Sequence, residues 1–363
     1  MPSARIHPPT PRNLTRLAGV LARGGLVAVP TETVYGLAAD ALDARACRAI
    51  FRAKGRPAHD PLIVHVRSVA QAGEVAVLGP AARRLANAFW PGPLTLVLPK
   101  RDCVPAVVTA GLPSVAVRMP AHPVFRALLR RCGRPLAAPS ANPFGYVSPT
   151  TAAHVIAGLG TRIAHVLDGG ACAIGVESTI LDLRDPARPT LLRPGAVTRA
   201  QLEKALGRRV RAAKKYPPSL PAKNRLSEPP TESDNQPVPS PFSLLPSPGA
   251  GSALPAPGML ARHYSPRTPL ALHARLSLAR AAAAPHEAFL FFRRPALKKS
   301  ATPTTNIFWL TERGDATEAA HNLFAHLRAL DAGGWRHLHA ERAPARAALA
   351  PALNDRLARA AAR

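Results

Sequence analysis

Aromatic side chains are scarce in this chain. Phe, Trp and Tyr make up 5% of 363 residues, within a hydrophobic share of 47%. A core of that composition has to be built mainly from Ala, Val and Leu. Cysteine is scarcer still: Cys47, Cys103, Cys132 and Cys172 are scattered without a Cys-x-x-Cys pair. Neither a zinc site nor a disulfide framework is signalled, and the thiols read as reduced and partly buried. Acidic residues are few, 21 against 48 Lys and Arg, for a formal net charge of +27. That balance favours phosphates, nucleotides or RNA as partners, although an Arg- and Ala-rich composition also follows from GC-rich coding. Apolar runs stay shorter than a membrane span needs, and Met1–Thr10 holds prolines but no apolar signal core. The cytoplasm is the expected compartment, with no membrane partner.

Familiar phosphate devices are also missing. The chain has no G-x-x-x-x-G-K-[ST] loop, no G-x-G-x-x-G after a strand and no G-x-S-x-G elbow. A bound nucleotide would have to be held without a glycine-rich cradle. His337 and His339 lie close in sequence without nearby Cys or acidic ligands, and read as surface histidines.

What is present falls into three parts. Pro217 to Gly258 holds 12 of the 41 prolines and shows no sustained period, so it reads as an extended linker. It divides the chain into 1–210, 211–258 and 259–363. In the first part helical signals (13–23, 44–53, 123–131) alternate with short apolar strands (26–29, 62–66, 94–98, 115–118, 136–138, 176–183), which argues an α/β layered sheet. The last part repeats the pattern on a smaller scale, with strands at 270–273, 288–292 and 306–310. Helices are expected there at 316–330 and 352–362, the latter basic, amphipathic and read as a packing element.

Polar residues crowd into the loops at strand ends, where binding residues concentrate. Pro30-Thr31-Glu32-Thr33-Val34-Tyr35-Gly36 follows a buried strand. It suits a small-molecule pocket, or equally a capped turn leading into a helix. Lys54-Gly55-Arg56-Pro57 closes a helix: two cations there satisfy the helix dipole, or clamp a phosphate, Lys as a point charge and Arg as a fork. His65 and Arg118 each end an apolar strand. An Arg closing an apolar strand, as Arg118 does, needs an anionic partner or water, and a substrate carboxylate would serve. Pro139-Ser140-Ala141-Asn142 and Gly175-Val176-Glu177-Ser178-Thr179 add hydroxyls and an amide that cap turns or bind ribose, phosphate or amino acid.

These segments resemble the Sua5/YrdC family of threonylcarbamoyl-AMP synthases. PTETVYGLAADA, KGRPAHDPLIVHV, WPGPLTLVL, SVAVRMPAHP, PLAAPSANPFGYVSPT, DGGACAIGVESTI and LLRPGAV stand in family order over most of 13–198. Pro257-Gly258-Met259, His263-Tyr264-Ser265-Pro266 and the closing 353–361 resemble the longer, two-domain Sua5 type. The resemblance implies an α/β fold: a YrdC-like twisted mixed sheet with a basic cavity, plus a smaller Rossmann-like C-terminal domain. It implies synthesis of threonylcarbamoyl-AMP from L-threonine, bicarbonate and ATP, with Mg²⁺, for a downstream tRNA threonylcarbamoyltransferase complex, and weak tRNA or double-stranded RNA binding.

Carried over by motif, the resemblance makes Lys54 and Arg56 catalytic. It assigns Arg56, Asp60, Ser114, Ser140, Asn142, Ser148, Arg193 and Tyr264 to ATP, and Thr33, His65, Arg118, Ala138 and Ser178 to threonine. Asp60 departs from the family's usual asparagine and Ser114 from a frequent threonine. On this reading Arg56→Ala impairs turnover far more than folding. The alternatives are a non-catalytic RNA-binding module of the same fold, and a carbamoyl-transfer enzyme of hydrogenase maturation, whose zinc-finger cysteine pairs are missing here.

Overall fold

A computed structural model describes residues 4–213, 253–296 and 305–362. Most of the Pro/Ser-rich segment expected at 211–258 therefore lies outside the described residues; its final stretch, from 253, lies inside.

The first part supplies strands β1 (Arg5–His7), β2 (Val27–Val29), β3 (Gly36–Asp40), β4 (Ile63–His65), β5 (Leu94–Pro99), β6 (Ser114–Arg118), β7 (Leu136–Ala137), β8 (His165–Leu167), β9 (Thr179–Asp182), β10 (Thr190–Arg193) and β11 (Arg211–Ala212). They form one mixed sheet in the order β1-β8-β2-β3-β7-β4-β6-β5-β9-β10-β11. Its helices are α1 (Pro11–Ala22), α2 (Ala44–Lys54), α3 (Val69–Val75), α4 (Pro80–Phe89), α5 (Ala106–Thr109), α6 (Pro123–Cys132), α7 (Ala152–Leu159) and α8 (Arg199–Leu206). Local chemistry sets their ends. The Thr10 hydroxyl accepts the Asn13 amide to start α1, and the Asp43 carboxylate accepts the Arg45 and Ala46 amides to start α2. Gly55, at φ 64, ends α2 in the left-handed region that glycine enters without steric cost.

The second part has β12 (Leu270–His273), α9 (Leu278–Ala283), β13 (Ala288–Arg293), β14 (Ile307–Thr311), α10 (Ala316–Ala332), β15 (Leu338–Glu341) and α11 (Ala350–Ala360). Its four strands pair in parallel throughout, in the order β12-β15-β13-β14. The expected α/β class and the pairing of a large mixed sheet with a smaller parallel one are both observed.

Strand periodicity positions the site. Along 62–66, 94–98 and 115–117, Leu62, Val64 and Val66, then Leu94, Leu96 and Leu98, then Val115 and Val117 enter the main core with α2, α3 and α4. The alternate residues Ile63, Val97, Ala116 and Ile180 join a separate cluster, against which the chain from 253 lays Leu254, Ala256 and Met259. Because helices cover one face and this strap the other, the strands read as nearly continuous apolar runs.

Three expectations need correction. The loop after β2 leads into β3 rather than a helix: Leu37 pairs back onto Ala28 in a hairpin. The strand expected at 176–183 is confined to Thr179–Asp182, which frees Glu177 and Ser178 for the loop. His339 is buried on β15, bonded to Glu287 at 2.8 Å and His273 at 2.9 Å, rather than lying on the surface. All four cysteines are free thiols, with Cys47 and Cys172 buried.

Candidate active site

Register gathers the polar residues. His65 at the end of β4 pairs with Arg118 at the end of β6, and Arg118 pairs in turn with Thr95 on β5. They lie on the face of Ile63, Ala116 and Val97, two residues after Ile63 and Ala116 and two before Val97 on the antiparallel β5. From one side Thr31–Gly36 closes on them, joined to the Ser140 loop by a Gly36–Ser140 bridge. From the other come Glu177, Ser178 and Arg193, and over the top pass Pro257, Gly258, His263 and Tyr264. The space left open inside the resulting cleft is about 40 Å³.

Three buried guanidiniums dominate it, Arg56 and Arg193 gripped along one edge and Arg118 through all three of its nitrogens. Arg56 donates through Nε to the Asp60 carbonyl (3.0 Å) and through Nη2 to the Pro61 carbonyl (2.7 Å), while pairing with the Asp60 carboxylate at 2.9 Å. Arg118 donates to the Gly92 carbonyl (3.2 Å), the Thr33 hydroxyl (3.0 Å) and the Glu32 carboxylate (2.6 Å). Arg193 spends Nε and Nη2 on Ser178, at 3.0 and 3.1 Å. A guanidinium carries five N–H donors, so each keeps hydrogens for an anion. Arg118 is thus already paired with Glu32, and a further carboxylate would share it rather than be its sole counter-ion.

Thr33, Arg56, His65, Arg118, Ala138, Ser140, Ser178, Arg193 and Tyr264, all singled out in the sequence, line the one cleft. Other candidates stand behind the wall. The Lys54 ammonium donates to the Ser140 and Asn142 carbonyls and fixes that loop; burial, then the charge of Arg56, pushes its pKa well down. Asn142 spends its amide on the Pro143 and Tyr146 carbonyls. Ser148 donates to Glu177, and Ser114 is a buried hydroxyl with no partner among the described residues. Asp60 is fully buried against Arg56, and burial raises its pKa. Arg56→Ala would strand that carboxylate, so the expectation that this substitution spares the fold is revised.

Sequence reasoning missed the partners that hold the arginines. Glu177 is buried and pairs at 2.8 Å with Arg356 on α11. Arg359, one turn later, donates to the Leu260 carbonyl at 2.9 Å. Tyr264 lies between them, with the Arg359 and Arg356 guanidinium carbons 4.7 and 5.4 Å from its ring centre. Gly258, at φ 66, lets the strap cross Arg193: a Cβ there would sit 3.0 Å from its Nη1 and 3.3 Å from the Tyr264 hydroxyl. The basic residues of the last helix thus face inward. Their amphipathic pattern gives no hint of this, because the buried face carries the charge.

His65 is 2% exposed, and burial together with the Arg118 charge pushes its pKa down to about 3. It is therefore neutral at physiological pH and forms wall rather than base. An unfolded histidine takes up a proton near pH 6.5. Below that pH the folded state loses about 1.4 kcal/mol of stability per pH unit from this group, until the folded pKa is reached. Glu32 and Glu177 act in the same direction lower down. Burial opposes their ionisation, but Arg118 and Arg356 outweigh it and hold both carboxyls below their usual range. The stability they supply is present above pH 4.5 and lost on further acidification. Thermal midpoints should fall steadily between about pH 7 and about pH 4.5. Burial depresses His154 and His263 in the same way, so His65→Asn should make the upper half of that curve shallower by one group's share rather than flat. An unchanged upper slope in the variant would refute the assignment.

A mixed sheet whose strand ends converge on buried guanidiniums and hydroxyls under a strap from a second α/β unit defines an anion-binding protein without a P-loop. The comparisons give the class its family. A model of the Sua5/YciO/YrdC family, described as telomere recombination, matches residues 19–195, and a threonylcarbamoyl-AMP synthase C-terminal domain matches 197–362. The chain is 53% identical over 191 residues to a threonylcarbamoyl-AMP synthase of Pyrococcus abyssi and 50% identical over 198 residues to one of Bacillus subtilis. These matches cover 52% and 53% of this chain and 56% of each relative, so the chain spans little more than half the length of those curated relatives. The crystal structure of P. abyssi Sua5 complexed with L-threonine superposes with a TM-score of 0.80 at 36% identity, covering 99% of this chain and 98% of that one. The chain belongs to the Sua5/YciO/YrdC family, in the form that carries the additional C-terminal domain.

Proposed function

We propose that the protein is an L-threonylcarbamoyladenylate synthase, forming threonylcarbamoyl-AMP and pyrophosphate from L-threonine, bicarbonate and ATP. The observation that carries this reading is the convergence of Arg56, Arg118 and Arg193, each with unspent N–H donors, on one hydroxyl-lined cleft. Support comes also from the relatives named as threonylcarbamoyl-AMP synthases and from the related structure holding L-threonine. The domain limits that accompany it are 1–210, 211–258 and 259–363.

Bicarbonate takes up a proton and loses water to give CO₂; the uncharged threonine amine adds to its carbon and loses a proton, giving a carbamate. A carbamate oxygen attacks the α-phosphorus, the bond to the β-phosphate oxygen breaks, and pyrophosphate leaves. A carboxylate nucleophile is already ionised, so no side-chain base is required at that step. Arg118 shares its free donors with the threonine carboxylate, beside Thr33, His65, Ala138 and Ser178. Arg56 and Arg193 face the phosphates, where fixed donors stabilise charge as it develops on the leaving oxygen. Ser140 and Tyr264 complete the nucleotide wall. Lys54, Asn142 and Ser148 act by holding the loops, and Asp60 by orienting Arg56.

No cluster of His, Cys, Asp or Glu suited to a metal ion occurs among the described residues, and Glu32, Asp60 and Glu177 are each engaged by arginine. The side chains therefore do not fit a protein-held Mg²⁺; the ion enters this reading as the companion of ATP, on its phosphates. The product is a reactive mixed anhydride, to be consumed by a transferase acting on tRNA in the cytoplasm. Pyrophosphate release should require threonine and bicarbonate together; release indifferent to threonine defeats the proposal. Salt-sensitive RNA binding without ATP turnover would instead support the non-catalytic RNA-binding module.

A further inference from the structure

A second basic hollow lies away from the cleft, beyond the carboxyl ends of β12, β15, β13 and β14. The loops leaving these strands line an open groove of about 1050 Å³. Each contributes arginine: Arg275 after β12, Arg293 at the end of β13, Arg313 after β14, and Arg342 and Arg346 after β15. All five are exposed, and among the described residues none has an ion-pair or side-chain hydrogen-bond partner.

Nearby acids are already committed. Glu341, the one carboxylate lining the groove, accepts the Leu276 amide at 3.3 Å and the Phe292 amide at 3.0 Å. Glu312 pairs with Arg294, and Asp315 caps α10. The groove floor is fixed. Asn354 on α11 accepts the Ala343 amide at 2.8 Å and donates to its carbonyl at 2.9 Å, and the Arg342 amide donates to the His273 carbonyl at 2.9 Å. Carboxyl ends of parallel strands are where open α/β sheets bind ligands.

We infer that this groove binds the phosphate backbone of RNA. A small anion is matched by buried, convergent donors, as in the cleft; here the cations are exposed and spread over four loops, which matches a row of phosphates. The groove's aromatic residues, Phe291 and Phe292, are buried in the sheet, so recognition runs through phosphate rather than base stacking. The chain's net charge of +27 steers any polyanion toward it. The choice of RNA over DNA rests on the proposed function; the charge argument does not.

The experiment titrates fluorescein-labelled tRNA transcript with the full chain, without ATP or threonine, and follows polarisation over a range of salt. Arg342→Ala with Arg346→Ala is expected to weaken binding about tenfold and to lower the slope of log Kd against log salt by about 1.5. The Arg→Lys pair should keep most of the affinity, and pyrophosphate formation should be unchanged in both. Binding equal to wild type in the alanine pair, or loss through Arg56→Lys instead, overturns the groove. Equal displacement by duplex DNA or by polyglutamate overturns RNA as its occupant. Failure of the pyrophosphate assay alone bears on the synthase reading and leaves the groove's affinity measurable.

Discussion

Replacing Arg356 by alanine is expected to destabilise the protein by about 3–5 kcal/mol, the cost of removing one partner of a buried ion pair. Arg356 is fully buried, and its pKa is held above the ordinary arginine value: burial opposes the charge, but Tyr264, Glu177 and Asp355 outweigh it. Without it Glu177, whose side chain is 8% exposed, loses its counter-ion at 2.8 Å. The Pro194 carbonyl loses its donor at 2.8 Å, and the Tyr264 ring loses one of its two cationic neighbours. Activity should fall with stability, because Glu177 and Tyr264 both line the cleft. Combining Arg356→Met with Glu177→Gln separates the causes. Gln can still accept from Ser148 and carries no charge, and Asp355, which loses Arg356 at 2.7 Å, keeps Arg359 at 3.5 Å, so most of the lost stability should return. Urea unfolding followed by circular dichroism checks this. A double variant no more stable than Arg356→Ala would show that packing, and not the stranded carboxylate, sets the cost.

The second large effect concerns Arg56. Arg56→Ala should lose both stability and turnover, because it strands Asp60, which is 0% exposed. Adding Asp60→Asn removes the orphaned charge and should restore the thermal midpoint to near the wild-type value. Turnover should stay depressed by about 10²–10³-fold, the usual cost of one preorganised donor to a transition-state oxygen. Arg56→Lys keeps a cation but cannot donate at once to the Asp60 and Pro61 carbonyls and to a phosphate, so it too should be slow. Measuring kcat for pyrophosphate release beside the melting temperature decides the matter. Turnover that recovers with stability in the double variant would reduce Arg56 to a structural role.

Much of this architecture could be read from the chain. The helix end at Lys54-Gly55 and the short apolar runs at 62–66, 94–98 and 115–118 are local signals, and the elements begin and end close to where they point. His65 and Arg118 were legible for a related reason, whereas Ala138, Arg193 and Tyr264 were singled out only through the family resemblance. Polar side chains at the ends of apolar strands have few places to go, and His65 and Arg118 meet through strand register. The pairing of Glu32 and Glu177 with Arg118 and Arg356 was not legible, because nothing local distinguishes a carboxylate that will be buried beside an arginine from one left in water. The β3 strand escaped as well, since Gly36-Leu37-Ala38-Ala39 suits a helix until the hairpin with β2 commits it.

The sequence by itself determined the alternation of helix and strand, the faces those elements bury and the basic, hydroxyl-rich character of the loops between them. Each follows from neighbouring residues and from repeat periods. Tertiary structure alone decided which charges remain available. Glu32 reaches Arg118 across 86 residues and Arg356 reaches Glu177 across 179. A buried charge is tolerated only where the folded chain supplies its partner, and that pairing is a property of the assembled core, not of any stretch of sequence.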